Sequence, residues 1–167
     1  AYQEARSSRR SIDYLKLVQQ LPSTKIPNYL FRNENGIRFR NVSADWGIDQ
    51  PSVSNAAVYA DLDIDGDLDI ITNNLNSDAF LYRNNQEKIQ QNNYIRIKLA
   101  GDSMNTAGLG AKVRVTTGDA KLFQEAWYGR GYQSAVEPVL TLGIGKSSVV
   151  SEISVQWPDG RESVLQN

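Results

Sequence analysis

The residues of this chain best equipped for chemistry are Asp61, Asp63, Asp65, Asp67 and Asp69, five carboxylates at alternate positions around Gly66. Unpaired, they would repel one another strongly. A hard cation removes that cost, and oxygen-only ligands suit calcium far better than zinc or copper. The stretch reads as a calcium loop. Asp61, Asp63, Asp65 and Asp69 are expected to ligate through their side chains. Asp67 is expected to give its backbone carbonyl, as the seventh position does in comparable loops. Gly66 permits the sharp turn.

The loop is not that of an EF-hand, which needs a bidentate Glu at its twelfth position and a helix on each side. Counting from Asp61, the twelfth residue is Thr72. The flanks, Ala57-Val58-Tyr59-Ala60 and Leu68-Asp69-Ile70-Ile71-Thr72, are short β-branched and aromatic runs that predict strands. The loop is expected at the tip of a β-hairpin.

Other chemistries are narrowed by composition. The 167 residues hold no His and no Cys, which excludes Ser/His/Asp and Cys/His catalysis, His-ligated metals, disulfides and thiol chemistry within this chain. A net charge of −1 offers no basic footprint for nucleic acid. No apolar run approaches the roughly 18 residues of a membrane span. The chain opens on Ala1 rather than Met, and a processed or truncated chain is expected, so missing targeting signals carry little weight. Asp45, Asp49, Glu125 and Glu137 form no recognisable pair for glycoside hydrolysis. No catalytic residue and no enzymatic activity are predicted.

The elements that must position the loop fall into three segments. Residues 1–27 form an N-terminal segment with a short helix over Ser11 to Leu21, whose Ile12, Leu15, Val18 and Leu21 recur at helical spacing before Pro22. In residues 28–90, Leu30-Phe31-Arg32-Asn33 recurs as Leu81-Tyr82-Arg83-Asn84 at an offset of 51. A period of that length built from short strands predicts propeller blades. Strands are expected at Tyr29 to Arg32, Ile37 to Val42, Ser54 to Asp61 and Leu68 to Asn73, with Asn35-Gly36 as a hairpin turn. Four strands would make one blade. Trp46 is expected to be buried as a packing plug.

Residues 91–167 change pattern. Ile95, Ile97 and Leu99 alternate with Arg96 and Lys98. Ala111, Val113 and Val115 alternate with Lys112 and Arg114. Ile153, Val155 and Trp157 alternate with Ser154 and Gln156. These are strands with one buried face, and Lys121 to Tyr128, Val139 to Leu142 and a hairpin around Pro158-Asp159-Gly160 join them in a small antiparallel sandwich or barrel. Gly108-Leu109-Gly110 reads as a turn leading into a strand. Trp127 and Tyr128, adjacent on one strand, should face opposite sides. Arg130 and Tyr132, in Gly129-Arg130-Gly131-Tyr132, are candidate ligand-binding residues, able to stack on a sugar or meet an acidic group; a bulge between strands is the favoured explanation of the segment.

Asp61 to Asp69 with Ile70-Ile71-Thr72-Asn73-Asn74 resembles the calcium loop of FG-GAP/VCBS repeats. Asn28-Tyr29-Leu30-Phe31-Arg32-Asn33 with Gly36 and Phe39 resembles the blade opening of the same group. The C-terminal part resembles the ASPIC/UnbV domain through Asn105, Gly108-Leu109-Gly110-Ala111-Lys112-Val113, Gly129-Arg130-Gly131-Tyr132-Gln133-Ser134, Leu142-Gly143-Ile144-Gly145 and Trp157-Pro158-Asp159-Gly160. Leu142 stands where the family carries an aromatic, and Ala135 where relatives often carry a polar residue. The combination is similar to the cartilage acidic protein family and its bacterial surface relatives.

The resulting expectation is an all-β chain: a single propeller-type blade packed with a C-terminal antiparallel sandwich or barrel, plus the N-terminal helix. A lone blade leaves faces and edges uncovered. It should therefore pack on the helix, on the C-terminal domain or on the remaining blades of a parent protein. The resemblance implies a calcium-binding, extracellular or cell-surface module. Glycan and surface-protein ligands are the candidate partners, with an accessory or catalytic glycan domain and an adhesion module as the alternative functions.

Overall fold

The computed structural model describes residues 13–20, 22–102, 104–118 and 120–167. The described chain is all-β, with two short helices. It divides into two compact units. One runs through Val53 and adds Leu75–Ser77; the other joins Ser54–Asn74 to Asp78–Asn167. Among the described residues no helix is long and apolar enough to cross a membrane.

In the first unit, helix α1 (Tyr14–Gln19) starts where Asp13 accepts the Lys16 N–H on its side chain (3.0 Å), an N-cap contact. Of the predicted apolar helix face, Ile12 and Leu21 lie outside the described residues and Leu15 is exposed. Strand β1 (Ile26–Pro27) pairs with β4 (Pro51–Ser52), and β2 (Phe31–Asn33) with β3 (Phe39–Asn41), all antiparallel. The β2–β3 turn is made by Asn33, whose Oδ1 accepts the N–H groups of Asn35 (3.1 Å) and Gly36 (2.7 Å), and by Gly36 at φ +87°. Val42 and Ile48 are buried. Trp46 is not the expected plug: it is 56% exposed. The tight turn after Val42, with Trp46 N–H bonded to Val42 O and Ile48 N–H to Ser43 O, sends Ile48 inward and Trp46 out.

The four strands predicted for one blade do not share a sheet. β2 and β3 pair with each other, whereas β5 (Ser54–Ala60), β6 (Asp69–Asn74) and β7 (Phe80–Tyr82) form a separate antiparallel sheet in the second unit. The Asn33 turn closes β2 onto β3. The repeated Leu81-Tyr82, by contrast, pairs back onto Ile71 and Ile70 of β6.

The rest of the second unit is a small sandwich. One sheet is ordered β10 (Ala120–Glu125), β9 (Lys112–Thr117), β12 (Glu152–Gln156), β13 (Glu162–Gln166); the other pairs β8 (Asn93–Ile97) with β11 (Leu140–Gly145). Alternation decides which side chains face inward. Val113, Val115, Val155, Leu140 and Leu142 meet Leu99, Ala111 and Ala126 in one buried cluster, with Ile95, Ile97, Ile153 and Trp157 against it. β10 ends before the predicted Tyr128. Ala126 leaves the ladder, donates to Ala111 O and accepts from Gly110 N–H, and is fully buried. Trp127 is then turned outward, and Tyr128 is half-buried with its hydroxyl on Ala107 O (2.8 Å). Burial raises the Tyr128 phenol above its usual range.

The turn before β9 is clamped by Asn105, whose Oδ1 accepts the Leu109 N–H (2.7 Å) while its Nδ2 donates to Leu109 O (2.9 Å). That grip brings Gly108 (φ +65°) against the core; a Cβ there would lie 2.8 Å from Leu99 Cδ1 and 3.1 Å from Trp157 Cζ3. Gly108→Ala combines a left-handed backbone with overpacking. It should lower unfolding stability by about 2 kcal/mol in denaturant titration, and an unchanged midpoint would contradict this packing.

Candidate metal centre

The acidic loop sits at the tip of the β5–β6 hairpin, between paired Ala60 and Asp69. Its backbone is held by its own carboxylates. Asp61 Oδ1 accepts the Asp65 N–H (3.1 Å), and Asp65 Oδ1 accepts the Asp67 N–H (3.2 Å). Ile64 adopts φ +62°, a conformation that a β-branched residue rarely tolerates. Gly66, at φ +97°, is buried beneath the Tyr94 ring of β8; a Cβ there would fall 1.8 Å from Tyr94 Cε1. The loop tip thus needs glycine for its backbone angle and for this approach to the sandwich.

The carboxylates gather in two overlapping groups. Asp61, Asp63 and Asp65 each offer an oxygen within 4.8 Å of the others, and so do Asp65, Asp67 and Glu87. Asp65 belongs to both. Asp69 belongs to neither. It is buried, with Oδ2 accepting the Leu62 N–H (3.2 Å) and Oδ1 the Asn84 N–H (2.8 Å), so its side chain ties both ends of the loop to the exit of β7. Asp67 presents its side chain to the second group.

Glu87 is the participant that spacing along the loop does not reveal. It lies on α2 (Gln86–Ile89), after β7. The signal was available in the repeat. After Arg32-Asn33 the first copy continues Glu34-Asn35-Gly36 and turns back as a hairpin. After Arg83-Asn84 the second continues Asn85-Gln86-Glu87, without the glycine, and coils into α2. Losing the hairpin brings an extra carboxylate to the loop.

Cationic side chains offset part of this charge. Arg83 Nη2 lies 2.6 Å from Asp63, 3.4 Å from Asp65 and 3.8 Å from Glu87, and Lys88 Nζ lies 3.7 Å from Glu87. Among the described residues, the five aspartates and Glu87 therefore face only Arg83 and Lys88. The oxygens Asp61 Oδ2, both Asp67 Oδ atoms and Glu87 Oε2 are shielded from solvent with no hydrogen-bond partner among the described residues. Buried carboxylate oxygens left in this state are costly. Burial, then the Asp65 charge, pushes the Asp67 carboxyl up to about 6. Asp63 is also raised by desolvation, against the opposing pull of Arg83, whereas Asp65 is lowered, first by the Asp67 N–H. Shielded, hard, partnerless oxygens converging from a loop and a helix fit a calcium-type cation. Asp61, Asp63, Asp65, Asp67 and Glu87 are the side chains that would hold it.

The other predicted site residues lie elsewhere in the second unit. Arg130 Nε and Nη2 donate to the Tyr59 hydroxyl of β5 (3.1 and 2.6 Å). Its N–H bonds Ser134 O in a loop closed by a Gly129–Ala135 bridge. Tyr132 is exposed. Arg130 and Tyr94 thus both join the β5–β7 sheet to the sandwich. Glu137 pairs with Arg96 (2.8 Å), and Asp45, in the first unit, with Arg40 (3.0 Å).

Residues 101–167 match the family model described as ASPIC and UnbV. The matched span covers β9 to β13, while β8, which pairs with β11 inside it, precedes it. No curated protein matches the chain significantly.

Two measurements check this arrangement. Between about pH 4 and about 6, folded Asp67 retains a proton that the unfolded chain, with its ordinary value of 3.8, has released. Stability in chelator should therefore fall as pH rises across that window; thermal melts that climb through it would contradict the buried, repelled carboxyl. Arg130→Ala removes two hydrogen bonds to Tyr59 and should cost about 1 kcal/mol in denaturant unfolding, with Tyr132→Ala as the near-neutral control.

Proposed function

We propose that the chain is a calcium-binding, non-catalytic binding or scaffold module of a larger extracellular or cell-surface protein. The observation that carries this is the set of shielded, partnerless oxygens on Asp61, Asp67 and Glu87, inside a cluster whose charge Arg83 and Lys88 only partly offset. The FG-GAP/VCBS-like pattern of Asp61 to Asp69 and the ASPIC and UnbV match over residues 101–167 support the same reading. The ion's role is structural. It neutralises the hairpin tip and, through Glu87, ties it to α2. Extracellular modules commonly bind calcium at about 10⁻⁴–10⁻³ M, which suits an outside location.

Melting curves in calcium and in EGTA test this. At about 100-fold excess over Kd, mass action adds about 2.7 kcal/mol, and the melting temperature should rise by at least about 5 °C. Equal melting temperatures would sink the reading. Asp65→Asn, which changes the residue shared by both groups, should weaken calcium binding at least about tenfold. Glu87→Gln is diagnostic in two directions. It should weaken calcium binding and, by removing a repelled charge, raise the melting temperature in EGTA. A variant neutral in both conditions would remove Glu87 from the site.

A further inference from the structure

The Asp65–Asp67–Glu87 group opens onto a cavity of about 770 Å³ within the second unit. Its floor is the outer face of the β8–β11 pair. Leu140, Leu142, Ile95 and Ile97 turn toward the sandwich core, so Tyr94, Thr141 and Gly143 turn away from it. Gly143 lies directly across from Tyr94 in the ladder, and a Cβ on it would meet nothing. The ladder slips its register between Gly143 and Gly145, and Gly145 also borders the cavity. A strand that carries two glycines beside an exposed ring leaves open a space that ordinary strand residues would fill. The opposite wall is the acidic loop. The rim is the amide-rich linker after α2, where Gln91 and Asn92 are exposed.

The lining selects a class of ligand. Among the described residues its lining contains no Lys or Arg, and the cations beside it are already engaged, Arg83 and Lys88 by carboxylates and Lys146 by Gln91 O, so an anion meets mainly the acidic groups; Leu68 is its only aliphatic side chain, so an apolar ligand finds little to bury against. What it offers is side-chain amides and a hydroxyl, which both donate and accept, an exposed tyrosine ring, and carboxylates at the edge. Calcium takes six to eight oxygens, and neutral hydroxyls are suitable additional ones. We propose that this cavity binds a neutral polyhydroxylated ligand, a saccharide, at the edge of the metal centre. Gln91, Asn92 and Thr141 bond its hydroxyls, Tyr94 lies along its apolar face, and Gly143 makes the room. The proposal rests on the calcium reading above.

The test uses the full chain with methyl α-mannoside, galactose and N-acetylglucosamine in solution, and with an immobilised mannan, in calcium and in EGTA. At least one soluble saccharide should bind at about millimolar Kd in calcium, with no binding in EGTA. Competition by that sugar for mannan retention distinguishes recognition of a single residue from recognition available only in the polymer. Either arm, if calcium-dependent, supports the proposal. Gly143→Val suits a strand and fills the cavity. It should weaken saccharide binding at least about tenfold while leaving the calcium midpoint within about twofold. Gln91→Ala with Asn92→Ala should act in the same direction. Saccharide binding unchanged in Gly143→Val, or equal in EGTA, overturns the proposal, as does the absence of binding in both arms. In that last case a calcium-induced rise in melting temperature, measured without sugar, shows that the metal reading stands alone. Without that rise both fail together.

Discussion

The confinement of charge at the tip of the β5–β6 hairpin is the constraint around which the second unit is built. Hairpin geometry brings Asp61 and Asp69 to the two ends of one short loop, and the carboxylates between them gather into two groups that overlap at Asp65. Every neighbouring element answers that charge. Asp69 takes backbone donors from Leu62 and Asn84, Arg83 reaches back over Asp63 and Asp65, and the Tyr94 ring closes over Gly66. Main-chain donors and one guanidinium satisfy some of the oxygens. Those of Asp67, and one each of Asp61 and Glu87, remain shielded without partners among the described residues. A fold that shields carboxylate oxygens this way has an electrostatic deficit that a hard cation fills better than any side chain available locally.

The two halves of the second unit are held to each other at points near this loop. Tyr94 sits on Gly66, and Arg130 reaches Tyr59 on the strand that feeds the loop. Strand β5 is thus in contact with the sandwich just before its tip, and the tip itself lies under a sandwich side chain. Order in the loop and docking of the sheet on the sandwich are consequently coupled, because a splayed tip would disturb the ground on which Tyr94 rests. This also assigns Arg130 a concrete task. Its conspicuous place between two glycines allows a sharp loop, and its side chain is spent on an intramolecular contact.

Much of this was legible in the residues. Strict alternation located β8, β9 and β12 and the inward set Val113, Val115 and Val155, because a one-sided core imposes a period of two. The dense Asp spacing located the hairpin tip. Less legible were features set by partners remote in sequence. Nothing local says that Asp69 will spend both oxygens on Leu62 and Asn84, or that Asp67 will turn its carboxylate inward. Trp46 misled because a large ring is usually buried, yet the turn after Val42 sends Ile48 inward and leaves Trp46 outside. The grouping of four strands into one sheet departed from expectation for a similar reason. The echo of Leu30 to Asn33 in Leu81 to Asn84 is real, but pairing is decided by the residues just after each copy. Asn35-Gly36 folds β2 onto β3, and Asn85-Gln86-Glu87 lets β7 leave the sheet into a helix.

That divergence between the two copies ties the architecture to the site. A second hairpin after Asn84 would have extended the β5–β7 sheet by one strand, with a turn where α2 now stands. By coiling instead, the chain presents Glu87 to Asp65 and Asp67 and then runs through Gln90 to Asn92 into β8, so that one short segment supplies a carboxylate to the acidic cluster and the amide rim of the cavity beside it. Glu87 belongs to the repeat half and Tyr94 to the sandwich half, and only six residues lie between them. The junction between the halves is therefore where chemistry from both converges: acidic oxygens from the hairpin and helix on one wall, a ring and two side-chain-free positions of β11 on the other. Neither half by itself holds that combination, which is why the functional surface is best sought at their seam rather than within the sandwich core or along the exposed sheet edges.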